Sequence, residues 1–172
     1  LNIVDMSPSD SSAAFAQPNT DLAMACGWGG SLRKMKEHGN TIIAGAEKEK
    51  VVGKVFDITS TPASFAEENP QLLAKFLKVT ADMNAQYAKD PSSMMESISK
   101  AAGMDMDGTT AVIGTFVFPS LEEQLSDDWM GKTVAEYLAA SAKKLEEGGK
   151  IKALSDYSAL VNTGPLKAAA SM

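Results

Sequence analysis

The sequence predicts an α/β fold that gives way to a helical C-terminal part. Residues 1–59 alternate short apolar runs with capped, amphipathic stretches in the order βαβαββ, the arrangement that lays helices on a sheet. Beyond Thr59 nearly every segment opens on a helix-start signal. Only about four strand-like runs are present, too few for a full doubly wound sheet. The chain therefore reads as the C-terminal fragment of a longer protein. Its opening, Leu1-Asn2-Ile3-Val4, looks like the middle of a strand, with neither an initiator methionine nor a signal peptide before it.

Residues 1–6 form the first expected strand. Ser7-Pro8-Ser9-Asp10 then starts a helix to about Gln17, because Ser7 can cap, Pro8 suits the first helical position and Asp10 stands three residues past the cap. Pro18-Asn19-Thr20 turns the chain into a second strand at 22–26. A helix is expected over 29–37, stopped by Gly39, and residues 41–44 and 51–59 read as extended on either side of a charged patch at 47–50. Thr61-Pro62 opens a short helix to Glu68, and Asn69-Pro70 opens the clearest helix, about 71–87. Leu72, Leu73, Phe76, Leu77, Thr80, Met83 and Tyr87 keep a helical period along it. Asp90-Pro91 starts another helix, closed by Gly103. Residues 105–116 read as helix, although Thr109, Thr110, Val112 and Ile113 also suit a strand. Ser120-Leu-Glu-Glu123 is a capping box for a helix to about Asp128, and 132–147 is a helix ended by Gly148-Gly149. Short helical turns broken by Gly164-Pro165 complete the chain.

At 172 residues the chain can bury a real core. A net charge of −6, with no clustered basic face, argues against nucleic acid as a partner. Arg33 is the only arginine, so a bidentate clamp on an anion would need Arg33 or a residue from outside the chain. With Cys26 and His38 the only residues of their kinds, an internal disulfide is impossible and histidine-based metal or triad chemistry is nearly excluded. No apolar run reaches the roughly 18 residues that span a bilayer. The residues thus point to no enzyme, no catalytic group, no metal and no cofactor.

The stretch from Asp21 to Leu32 is the most informative. An apolar run ends in Cys26-Gly27, and Trp28, with a glycine on each side, stands where a helix begins. Glycines let backbone approach a ligand, helix N-termini offer N–H groups to anions, and an indole supplies a flat wall. Such a turn suits one side of a pocket for a small polar molecule. A second candidate is Asp57, an acid inside the apolar run Val55-Phe56-Asp57-Ile58. A buried carboxylate there requires a cation or a cap. Thr59 falls on the same side of an extended segment. Ser7 offers a hydroxyl, though capping already accounts for it. Arg33, turned away from Trp28 by helical geometry, reads as a solvated surface residue. Cys26 reads as a small core residue, His38 as a cation at a helix C-terminus, and Trp129 as an anchor for the helical tail. The methionines at 94, 95, 104 and 106 read as core filler.

Several motifs then stand together in order. They are Val4-Asp-Met-Ser-Pro8, the Asp21-Leu-Ala…Gly27-Trp28-Gly29 turn, and Phe56-Asp57…Phe65-Ala-Glu-Glu-Asn-Pro70-Gln-Leu-Leu-Ala-Lys-Phe-Leu77. The tail adds Phe118-Pro-Ser-Leu-Glu-Glu-Gln124, Gly149-Lys-Ile-Lys152 and Asp156-Tyr157-Ser158. Together they resemble the later half of the substrate-binding proteins of taurine and alkylsulfonate ABC transporters, over essentially the whole chain. The Asn69-Pro70 helix is shared by many such binding proteins, whereas the Trp28 turn and Asp57 point more narrowly to taurine. One departure is Pro18-Asn19-Thr20, where the family more often has a glycine-containing turn.

The resemblance implies the type II periplasmic-binding-protein fold, two α/β lobes with ligand in the cleft between them. Residues 1–45 would be the end of the second lobe and the return crossover. Residues 46–172 would be the returning part of the first lobe with its C-terminal helices. It implies a periplasmic location, a small zwitterionic or sulfonate ligand, lobe closure around it, and a membrane permease and an upstream half of the same protein as partners. Ligand contacts would come from Trp28, Gly27, Gly29, Asp57, Thr59 and Ser7. Asp57 would pair with the ammonium of taurine, and part of the sulfonate site would lie in the upstream half. The rivals are an enzyme of the same fold, related to thiamin-precursor synthases, and a sensory ligand-binding module.

Overall fold

In the computed structural model, which describes residues 2–172, the chain is all-helical. This corrects the α/β expectation, and with it the two-lobe periplasmic-binding-protein fold that the resemblance implies. No sheet forms among the described residues. The helices are α1 (Pro8–Phe15), α2 (Gly29–Lys36), α3 (Gly45–Val52), α4 (Ala63–Glu68), α5 (Pro70–Lys89), α6 (Ser92–Ala102), α7 (Met106–Ile113), α8 (Leu121–Leu125), α9 (Thr133–Glu147) and α10 (Gly164–Ala170). A single 3-10 turn lies at Ser158–Leu160.

The helix ends follow their local chemistry. Ser7 caps α1 by accepting the Asp10 N–H at 3.1 Å, and its hydroxyl donates to the Asp10 carboxylate at 2.7 Å. At α8 the capping box closes in both directions, with the Glu123 N–H donating to Ser120 Oγ and the Ser120 N–H donating to Glu123 Oε2. The Ser120 backbone N–H, and after it the Ser120 hydroxyl, hold the Glu123 carboxyl below the usual carboxylate range. Asp105 caps α7. Gly103 and Gly149 leave α6 and α9 at φ values of 63° and 68°, in the left-handed region that favours glycine. Gly164-Pro165 opens α10 instead of breaking it, since proline fits a first turn.

The four strand expectations, at 1–6, 22–26, 41–44 and 51–59, fail for a common reason. Leu1 lies outside the described residues. The described residues form no ladder that would pair the backbone of any of these runs. Ile3, Met24, Ile42, Ile43, Val51 and Val55 are all more than half exposed, so no buried face fixes them as strands. The charged patch at 47–50 lies inside α3, which also takes up Val51.

The chain divides into two compact units. One comprises residues up to Val51 together with Ser92–Val117, and the other Val52–Pro91 with Phe118–Met172. In the first, α2 packs against α1 and α7, and α6 against α7. Met35 is its buried apolar side chain, accompanied by the buried hydroxyl residues Ser12 and Thr109. In the second, α10 packs along α5 and against α8. Phe56, Ala74, Val134, Ala142, Leu166 and Ala169 are buried there.

Candidate functional site

The Trp28 turn belongs to the first unit. Trp28 itself is the extended residue preceding α2, with φ −143° and ψ 171°, and no side chain caps the helix behind it. The first N–H groups of a helix have no intrahelical partner, so this turn presents donors beside the indole. Trp28 is 67% exposed, a wall open to solvent and not a core side chain. The flanking glycines have reasons of their own. At Gly29 φ is +55°, where any other L-residue is strained. A Cβ at Gly27 would come within 2.9 Å of Met35 Sδ, so the small residue lets the loop lie against the buried methionine. Ser7, in the same unit, is exposed and engaged with Asp10.

Asp57 and Thr59 belong to the second unit, on a segment without helix or ladder. Both are exposed. The expectation of a buried carboxylate in want of a cation is therefore corrected. In that run it is Phe56 that is buried, edge-on to Trp129 at 5.3 Å and to Tyr137 at 5.4 Å. Trp129 anchors the later helices onto this segment, in keeping with its sequence reading, and Lys54 Nζ lies 5.1 Å from the centre of its ring. Ser7, Gly27, Trp28 and Gly29 thus share one unit, and Asp57 and Thr59 share the other.

An ion pair that links two helices distant in sequence was missed by sequence reasoning. Arg33 on α2 donates to both carboxylate oxygens of Asp105, at 3.2 and 3.5 Å. Asp105 Oδ1 also accepts the Gly108 N–H at 2.6 Å. These contacts hold the Asp105 carboxyl below its ordinary range, the Gly108 N–H contributing most and the Arg33 guanidinium next. A Cβ at Gly108 would land on the Arg33 guanidinium, so glycine keeps that approach open. Arg33 is exposed, as read from the sequence, but it is paired. The spacing Asp105-x-x-Gly108 was the available signal, as the cap and third position of a helix. Cys26 is exposed, which corrects its assignment to the core. Met106 is 46% exposed, while the methionines at 94, 95 and 104 are partly buried.

Two hollows lie elsewhere. In the first unit an open groove of ≈ 520 Å³ is lined by Phe15, Gln17, Thr20, Leu22 and His38 among others. Trp28 does not line it, and neither a carboxylate nor an ammonium does. In the second unit a hollow of ≈ 220 Å³ is lined by residues including Met130, Ser158, Thr163 and Lys167. Among the described residues no three of His, Cys, Asp and Glu gather closely enough to hold a metal ion. No described helix is long and apolar enough to cross a membrane.

No protein-family model matches the chain, and neither a curated protein nor a solved structure matches it.

Proposed function

We propose that the chain acts as the solute-binding component of an ABC importer for taurine or a related small sulfonate. The observation that carries this reading is the Trp28 turn, an exposed indole on an uncapped helix N-terminus within an ordered set of motifs resembling that family. A sulfonate accepts hydrogen bonds from such a first turn and gains from the helix dipole. Arg33 is committed to Asp105, so backbone donors, and not the guanidinium, are the natural partners for the anion. Ser7, in the same unit as Trp28, is a lesser candidate, since its hydroxyl is already engaged in its cap. The partner on this reading is a membrane permease, met in the periplasm. No bond is made or broken.

The test is a titration with taurine in a Trp129→Phe background, which leaves Trp28 as the only indole. Saturable change in Trp28 emission is expected, with calorimetry giving the affinity. Trp28→Ala should weaken binding about tenfold or more, the loss of roughly 1.4 kcal/mol. Failure of taurine and of every simple alkylsulfonate to bind would overturn the proposal.

A further inference from the structure

We draw no further inference here: the strongest candidate, the exposed apolar stripe of Leu72, Phe76, Val79 and Met83 along α5, carries nothing because nothing in the structure shows what covers it, and Asp82 beside it is already paired with Lys78.

Discussion

The two units hold themselves together by different means. In the second, aromatic and aliphatic side chains do the work: Phe56 lies edge-on to Trp129 and Tyr137, Tyr87 meets Phe118 at 5.5 Å, and Leu166 and Ala169 of α10 are buried. The first relies on polar geometry instead. Its buried apolar side chain is Met35, and its clearest link between helices is the contact of Arg33 on α2 with the cap of α7. Apolar burial carries no titrating group and is not screened, whereas an exposed ion pair is modest, screened and lost when its acid is protonated. The comparison implies that the first unit is the weaker and the more responsive to solution conditions.

The largest effect should come from emptying the aromatic cluster. Phe56→Ala is expected to cost about 3–5 kcal/mol, read as a fall in the denaturation midpoint. Amide exchange should accelerate in α9 while α2 stays as it was. Equal acceleration in both units would break the distinction between them.

Next comes Gly29→Ala, which places a side chain at φ +55°. The left-handed conformation costs roughly 1–2 kcal/mol for a residue with a Cβ. Exchange protection should drop in α2 and α7, and an unchanged melting curve would show that the turn adjusts. Ser120→Ala removes one half of the α8 capping box at a cost of about 1 kcal/mol. Its effect should stay within the second unit and leave α7 untouched.

The smallest effect is acidification. Because the folded carboxyl of Asp105 titrates below its unfolded value, its contribution is fully present above the ordinary carboxylate range. It is lost as pH falls through the lowered folded value. The Gly108 amide, observed by NMR, should shift and exchange faster in step with that protonation. Asp105→Asn should abolish the transition. Glu123 and Asp156 are lowered too, but by donors within three residues, so their protonation loosens only local turns.

What was legible in the sequence was the chemistry of helix ends. Ser7 and Ser120 mark their helices because each cap is satisfied within three residues of itself, while Pro70 fits a first turn and Gly149 a left-handed exit. That the four expected strands do not form was not legible, because a strand needs a partner elsewhere in the chain. The run at 22–26 offered leucine, alanine, methionine and cysteine but no β-branched residue, and an apolar run that short fits several conformations. Residues 105–116 show the reverse: β-branched side chains at 109–113 favour a strand, yet the Asp105 cap sets a helix. Of the candidate site, the start of a helix just after Trp28 was legible. The pairing of Arg33 with Asp105 was not, since 72 residues separate them.

Phe56 also decides how the segment around Asp57 behaves. Between the end of α3 and the start of α4 the backbone has no helix or ladder to hold it, and Phe56 is its buried point. A pin near the middle turns one long tether into two short ones, and the entropy of each grows only with the logarithm of its length. The carboxylate next to that pin swings on a short arm. Whatever meets Asp57 meets a charge held in place by its neighbour, at no cost in burying the charge itself.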